Sequence, residues 1–196
     1  GGKGNDIYFV NQFATEGINK EIGVVDVIRD TGGIDTVAAG FFNTPFDTLT
    51  YIMQRGLENA RFLGDDSTDM TVTGNGSKNN ITTAEGHDVV NGGSGADIIY
   101  TAGGDDTIDG GKGADIMDAG DGQNTFFIDH KKDIIIDNDA DYDVDGAPDS
   151  GTADTAIVNA STYVFDAANQ IEFIELGAKG KNVVGSDSNN TIAGNA

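Results

Sequence analysis

The chain contains no cysteine and no tryptophan, and its only histidines are His87 and His130. Without cysteine, neither disulfide bonds nor thiolate metal sites are available. The two histidines do not form a His-Glu-x-x-His motif, and His87 falls at a variable loop position where an exposed residue is expected. Because few candidates remain for acid–base or nucleophilic catalysis, we predict that this chain is not an enzyme.

Basic residues are also scarce, since 11 Lys and Arg stand against 33 Asp and Glu, and the formal net charge is −22. Such a charge repels nucleic acid and anionic membranes, so neither is expected as a partner. No apolar run reaches the roughly 18 residues of a membrane span, and none is predicted. Self-repulsion should also oppose compaction, and divalent cations would relieve it, so folding is predicted to depend on bound cations.

Glycine, by contrast, is abundant: the chain has 29 glycines, about twice the average usage of roughly 7%. They are concentrated between Gly74 and Phe127, where nine residues repeat six times without a gap, as GNGSKNNIT, TAEGHDVVN, GGSGADIIY, TAGGDDTID, GGKGADIMD and AGDGQNTFF. Position six carries Asn79, Asp88, Asp97, Asp106, Asp115 and Asn124. Position eight carries Ile81, Val90, Ile99, Ile108, Met117 and Phe126. Position four is glycine in all repeats except the first, which has Ser77.

A short strand that buries so few side chains needs copies of itself to stack against, and glycine-rich turns allow that stacking. Two nonapeptides complete one coil, so the sequence predicts an all-β solenoid. Stacked coils lie about 4.8 Å apart. Asp97 should then lie over Asp115 with Asn79 on its other side, while Asp88, Asp106 and Asn124 line the opposite edge. A phased apolar residue in every repeat argues against the alternative of glycine-rich disorder.

Carboxylates stacked this closely repel each other. Glycine at position four permits a positive φ that brings loop carbonyls together. Carbonyl and carboxylate oxygens from two neighbouring loops then form an all-oxygen cage, which suits Ca²⁺ better than a metal that prefers thiolate or imidazole. We expect the ion to cancel the repulsion and to join the coils.

The repeats GGSGADIIY and GGKGADIMD, and the opening GGKGNDIYF, resemble the RTX (haemolysin-type) calcium-binding repeat. The resemblance implies a parallel β-roll in which position-six aspartates and glycine-loop carbonyls hold Ca²⁺. Carried over to this chain, it implicates the side chains of Asp88, Asp97, Asp106 and Asp115 and the carbonyls near Gly86, Gly93, Gly95, Gly104, Gly111 and Gly113. Asn79 and Asn124 depart from the pattern, because an amide oxygen is neutral and a weaker ligand. Two inner sites and up to two weaker outer sites are expected.

The segments on either side of the repeats parallel each other. Gly33-Ile-Asp-Thr-Val37 parallels Thr152-Ala-Asp-Thr-Ala156, and GNGSKNNIT parallels GSDSNNTIA from Gly185. We therefore divide the chain into a first module (1–73), a six-repeat calcium-binding β-roll (74–127) and a second β-rich spacer that ends in a nonapeptide (128–196). This order resembles tandem RTX arrays of large bacterial surface proteins. The resemblance implies type I secretion and an extracellular or cell-surface location.

The flanking segments show apolar alternation typical of strands at 22–28 and 171–176. One stretch is ambiguous, since Thr44 and Pro45 followed by Leu49, Ile52, Met53 and Leu57 would also suit a short helix. The apolar cluster Phe41, Phe42, Phe46, Leu49 and Ile52 is interpreted as core.

A second calcium motif lies at Asp141, Asp143, Asp145, Gly146 and Asp149, which occupy positions one, three, five, six and nine of an EF-hand-type loop. Position twelve is Thr152 instead of the usual glutamate, and no helices flank the loop. A solvated acidic insertion is the alternative.

Together these observations predict a calcium-binding structural module that folds on Ca²⁺ binding outside the cell. The alternative is an adhesin or surface-layer module that binds a glycan, a cell surface or a copy of itself.

Overall fold

The computed structural model describes residues 3–9, 32–41, 48–64, 68–136, 153–166, 171–180, 182–186 and 190–195. These residues form strands and turns, and they contain no helix. It follows that no helix among them has the length and apolarity needed to span a membrane.

The strands form two large sheets and one small pair. The first sheet contains, in spatial order, β1 (Ile7–Phe9), β2 (Thr36–Phe41), β4 (Asn59–Gly64), β6 (Asn80–Thr82), β8 (Ile98–Tyr100), β10 (Ile116–Asp118) and β12 (Ile134–Ile136). The second sheet contains β17 (Thr191–Ala193), β15 (Ile171–Leu176), β13 (Asp154–Val158), β11 (Thr125–Ile128), β9 (Thr107–Asp109), β7 (Val89–Asn91), β5 (Asp69–Thr73) and β3 (Thr48–Ile52). The small pair joins β14 (Thr162–Val164) to β16 (Asn182–Val184).

From β2 to β13, successive strands alternate between the two large sheets, and the strand pairings are all parallel. In the nonapeptide region each strand pairs with the strand two repeats later, so that Ile98 pairs with Ile116 and Val90 with Ile108. Parallel pairing between every second strand defines a β-solenoid of about six turns. The predicted parallel β-roll is therefore confirmed. Both sheets run through the predicted boundaries at 73/74 and 127/128, and the division into three segments stays a prediction.

In the nonapeptide region, the core between the two sheets is formed mainly by the position-eight side chains. All six of these residues are buried, with at most 1% of the side chain exposed. Removing a side chain of this size from water contributes about 1.5–3 kcal/mol. No nonapeptide could bury its apolar residue alone, so stacking is what makes the short strands stable.

The ambiguous stretch after Pro45 is a strand from Thr48, and the helix alternative is wrong for residues 48–57. Leu49, Tyr51 and Met53 are buried, whereas Ile52 is 65% exposed, which is the period-two pattern of a strand. The predicted core role is therefore confirmed for Leu49 and wrong for Ile52.

The strand predicted at 171–176 is present as β15, although its burial does not follow a simple alternation. Ile171 and Ile174 are buried and Phe173 is 44% exposed. The register between β13 and β15 shifts after Asp154, so one additional residue of β15 enters the pairing and moves the buried face.

Several predictions concern residues outside the described ranges: the strand at 22–28, the core residues Phe42 and Phe46, and the acidic loop Asp141, Asp143, Asp145 and Asp149. The predicted core role of Phe41 likewise stays a prediction, because the structure describes its backbone and not its side chain.

Candidate metal centre

The position-six side chains form two columns, one at the start of each sheet's strands. The Asp97 column comprises Asn79, Asp97, Asp115 and Asp133, and the Asp88 column comprises Met70, Asp88, Asp106 and Asn124. All of these side chains are buried. Each residue except Met70 immediately precedes a strand, and Met70 occupies the equivalent place within β5. Parallel in-register pairing places equivalent residues of successive coils side by side. The predicted stacking of Asp97 on Asp115 and of Asp88 on Asp106 is present.

One oxygen of each aspartate holds neighbouring coils together. The backbone N–H of Asn79 donates to Oδ1 of Asp97 at 2.7 Å, and the N–H of Asp97 donates to Oδ1 of Asp115 at 2.7 Å. In the other column the N–H of Met70 donates to Asp88 at 2.7 Å, and that of Asp88 donates to Asp106 at 2.8 Å. Each bond spans 18 residues, which is one coil.

The second oxygen of the same four aspartates lacks a partner. Oδ2 of Asp88, Asp97, Asp106 and Asp115 is buried and accepts no hydrogen bond from the described residues. Burying a carboxylate oxygen without a compensating donor or cation is costly. Four repeated oxygens of this kind each require either a proton or a cation.

Glycine at position one lets oxygens of two successive loops approach closely in the Asp97 column. A Cβ placed on Gly92 would lie 2.7 Å from Oδ2 of Asp97 and 2.7 Å from the carbonyl oxygen of Gly110. A Cβ on Gly110 would likewise lie 2.7 Å from Oδ2 of Asp115. Position one is glycine in these two repeats, and the missing side chain leaves a cradle bordered by oxygens of two successive loops.

The same position differs in the Asp88 column, where Thr83 and Thr101 stand in place of glycine. Their hydroxyls donate to the position-one carbonyls of the next coil, from Thr83 to Thr101 at 3.4 Å and from Thr101 to Ala119 at 3.2 Å. The two columns therefore offer different surroundings to the same carboxylate.

Burial is the largest cause of the shifted pKa values of the four aspartates. Burial raises the pKa of Asp88, Asp106 and Asp115 to about 7 and that of Asp97 to about 6. The negative charge of Asp88 adds to the rise in the pKa of Asp106. Without a cation, burial therefore makes the protonated form of these carboxyl groups more favourable than it is in water.

Loop carbonyls supply further oxygens. Among the described residues, no donor reaches the position-four carbonyls of Gly86, Gly95, Gly104 and Gly113. The sixth repeat shows how these loops fold: the carbonyls of Gly120 and Gly122, at positions two and four, both lie 3.1 Å from Nδ2 of Asn124. The carbonyls of one loop thus converge on its position-six side chain.

Asn79 and Asn124, both predicted as weaker ligands, have their amide groups engaged. Nδ2 of Asn79 donates to the carbonyl of Leu57 at 3.0 Å, and its Oδ1 accepts the N–H of Asn75 at 2.9 Å. Oδ1 of Asn124 accepts the N–H of Asp106 at 3.0 Å.

The positive φ predicted at position four is found at Gly86, Gly95, Gly104 and Gly122, with values of 117–138°. Gly113 is the exception. A positive φ also occurs at position two, where Ala102 has φ of 79°. The turn therefore uses two special backbone positions, and the repeat pattern revealed only one of them.

Three position-six aspartates lie outside the six predicted repeats. Asp35, Asp133 and Asp154 are buried, and each accepts a backbone N–H from the neighbouring coil, from Asp6, Asp115 and Asn124. Their signal in the sequence is an aspartate followed two residues later by a buried apolar residue, namely Val37, Ile135 and Ala156.

Within the described ranges, no three His, Asp or Glu side chains cluster closely enough to form a metal site on their own. A site in which backbone carbonyls supply most of the ligands would not contain such a cluster of side chains. His87 is exposed and its Nδ1 accepts the N–H of Asp105 at 2.9 Å. This bond joins His87 to the next coil.

The comparison with protein families agrees with this geometry. The family model described as RTX calcium-binding nonapeptide repeat (4 copies) matches residues 73–108 and again residues 91–126. Residues 73–126 are therefore RTX calcium-binding nonapeptide repeats. No curated protein and no solved structure matched the chain.

Proposed function

We propose that residues 74–127 are a structural module in which Asp88, Asp97, Asp106 and Asp115 hold Ca²⁺ through Oδ2. The observation that carries the proposal is the set of four buried carboxylate oxygens without partners, placed in the loops of a calcium-binding repeat family. Their Oδ1 atoms already accept a hydrogen bond between coils, so Oδ2 is the oxygen that still lacks a partner.

The remaining ligands are the carbonyls of Gly86, Gly93, Gly95, Gly104, Gly111 and Gly113. The Asn124 loop supports this set, because its carbonyls at positions two and four converge on the position-six side chain. Calcium accepts about 6–8 oxygen ligands in flexible geometry, which two neighbouring loops of this kind offer. When bound, the ion supplies the positive charge that the buried carboxylates lack.

Binding and folding are coupled in this proposal. The chain carries a net charge of −22, and its four central carboxylates are buried. Binding free energy from cations that enter only the folded loops becomes folding free energy. Extracellular calcium modules bind with dissociation constants of about 10⁻⁴ to 10⁻³ M. Since RTX repeats typically occur in secreted proteins, we propose that the module folds outside the cell.

The acidic loop Asp141, Asp143, Asp145 and Asp149 remains a proposed further calcium site. Its support is the alternating carboxylates with Gly146 at the turn position.

The test is a calcium titration of the chain, followed by circular dichroism for strand content and X-ray scattering for compaction. The parent should gain both as calcium rises. Asp97→Ala and Asp106→Ala should each require more calcium, because each removes one orphan oxygen from a different column.

The matched control is Asp121→Ala, which removes an equal charge from an exposed loop position. It should titrate like the parent. If Asp97→Ala and Asp106→Ala also titrate like the parent, the assignment of ligands is wrong. If the parent is equally compact after complete removal of calcium, calcium-coupled folding is wrong.

A second candidate function is self-association at a surface, as in an adhesin or surface layer. The observation in its favour is an outward row on the first sheet, where Ile98, Ile116 and Ile134 are paired neighbours and Ile134 is 51% exposed. Tyr100, two residues beyond Ile98, is 44% exposed. Sedimentation of the calcium-loaded chain at rising concentration tests it, and an Ile134→Ser variant should stay monomeric at concentrations where the parent associates. A parent that stays monomeric throughout contradicts this candidate.

A further inference from the structure

We propose that Asn124 takes the place of a calcium ion in its own coil, so that the loop before β11 closes without metal. The inference rests on the proposed function of the aspartates one and two coils earlier. Asn124 occupies the same position of the repeat as Asp88 and Asp106, but in this proposal it has a different role.

The contacts of Asn124 fix the identity of both ends of its amide. Oδ1 faces a donor, the N–H of Asp106 at 3.0 Å. Nδ2 faces two acceptors, the carbonyls of Gly120 and Gly122, each at 3.1 Å. Exchanging the two amide atoms would place donor against donor and acceptor against acceptor, so the orientation follows from the chemistry of the surroundings.

The equivalent atom in Asp106, one coil earlier, is a carboxylate oxygen without a partner. An oxygen there needs a cation between itself and the loop carbonyls. An amide nitrogen needs none, since its two hydrogens already bridge to both carbonyls. Asparagine therefore supplies with N–H groups the positive potential that calcium would supply in an aspartate loop.

In the Asp97 column, the residues on either side of Asp97 and Asp115 also have their side chains satisfied by protein atoms, without a cation. At one end, Nδ2 of Asn79 donates to the carbonyl of Leu57 at 3.0 Å. At the other end, Oδ2 of Asp133 accepts the N–H groups of His130 at 2.9 Å and Asp129 at 3.2 Å, so this carboxylate is satisfied by its own turn. Among the residues of the two columns, the buried oxygens without a partner therefore belong to Asp97 and Asp115 in one column and to Asp88 and Asp106 in the other.

The first experiment changes Asn124→Asp and counts bound ions by native mass spectrometry at saturating calcium. The variant should bind one more Ca²⁺ than the parent. Gln123→Glu adds the same charge at the exposed neighbouring position and should bind the parental number. An Asn124→Asp variant that gains no ion would overturn the inference.

The second experiment distinguishes two effects of changing Asp106: replacement of the ion by an amide, and simple loss of a calcium ligand. Asp106→Ala removes the ligand and offers no donor, so its calcium midpoint for folding should rise by about fivefold or more. Asp106→Asn offers the loop carbonyls an amide, so it should bind one ion fewer while its midpoint stays at or below that of the parent. Equal rises in both variants would contradict the inference.

These outcomes are distinguishable from failure of the proposed function. If the parent binds no calcium, both the proposed function and this inference are wrong. If the parent binds calcium and folds with it, but the asparagine variants behave as simple ligand losses, only the inference is wrong.

Discussion

Asp88 and Asp106 are joined across consecutive coils, since the backbone N–H of Asp88 donates to Oδ1 of Asp106 at 2.8 Å while Oδ2 of both residues is buried without a partner. Each carboxylate therefore has two separate tasks. One oxygen helps to stack the coils whether or not metal is present, and the other makes the stack depend on a proton or a cation.

The first prediction concerns pH in the absence of calcium. Burial raises the pKa of Asp88 and Asp106 to about 7, above the value of about 3.9 in an unfolded chain. The folded state therefore binds more protons, and its free energy of unfolding rises as pH falls from about 7 toward about 4. The slope is about 1.4 kcal/mol per pH unit for each additional proton. Circular dichroism of the calcium-free chain at pH 8, 7, 6 and 5 tests this, because the folded fraction of a chain that is largely unfolded at pH 8 should rise as the pH falls.

The control for this prediction is the double variant Asp88→Asn and Asp106→Asn. It removes two of the groups with raised pKa, so its stability should depend less steeply on pH between 5 and 8. A calcium-free parent that becomes more stable as pH rises through 7 would contradict the sign of the argument.

The second prediction concerns the cradle beside Asp97. A Cβ on Gly92 would lie 2.7 Å from Oδ2 of Asp97 and from the Gly110 carbonyl oxygen. Gly92→Ala should therefore crowd the oxygens of the Asp97 column and raise the calcium midpoint of folding. Overpacking of this kind costs about 1–3 kcal/mol. Gly92 does not have a positive φ, so backbone strain is not the reason.

Gly76→Ala is the matched control, because a Cβ at Gly76 would meet no atom within 4 Å. Calcium titration by circular dichroism should leave Gly76→Ala close to the parent. Equal midpoints for Gly92→Ala and Gly76→Ala would show that Gly92 does not border the cation site.

Sequence periodicity predicted residues 74–127 of this structure well because each position of the repeat has the same place in every coil. Residues such as Ile99 and Ile108 recur at the one position that faces the core, and Asp97 and Asp106 recur at the one position that precedes a strand. A period of nine leaves a two-sheet solenoid few alternatives for the register. The RTX family match confirms that interpretation for residues 73–126.

Features that interrupt the period could not be predicted in the same way. The register shift after Asp154 moves Phe173 outward, and it depends on how β13 and β15 pair in three dimensions. Asp133 looks like another calcium ligand in the sequence, yet backbone N–H groups of its own turn satisfy it. Whether a position-six oxygen is free depends on donors that a repeat pattern does not show.

The third prediction tests the core. Ile99 is fully buried at position eight, whereas Ile134, also in the first sheet, is 51% exposed. In saturating calcium, Ile99→Ala should lower the free energy of unfolding by about 2–5 kcal/mol. Ile134→Ala should change it by roughly 0.5 kcal/mol or less. Urea unfolding measures both, and similar losses would contradict the assignment of the buried face.

The fourth prediction concerns backbone strain. Ala102 has φ of 79°, and it is the one residue other than glycine with a positive φ among the described residues. A left-handed conformation costs an L-residue about 1–2 kcal/mol. Glycine avoids that cost but loses about 0.5–1 kcal/mol through greater freedom in the unfolded chain. Ala102→Gly should therefore raise the free energy of unfolding in calcium by about 0.5–1 kcal/mol.

Ala96→Gly provides the comparison, since Ala96 is exposed in an equivalent loop and does not have a positive φ. Here only the entropic cost remains, so this variant should be less stable than the parent by about 0.5–1 kcal/mol. Opposite signs for the same chemical change, measured by urea unfolding in saturating calcium, would establish that position two of the loop is strained in the fourth repeat. If Ala102→Gly destabilises the chain as much as Ala96→Gly does, the left-handed conformation at Ala102 is not a source of strain.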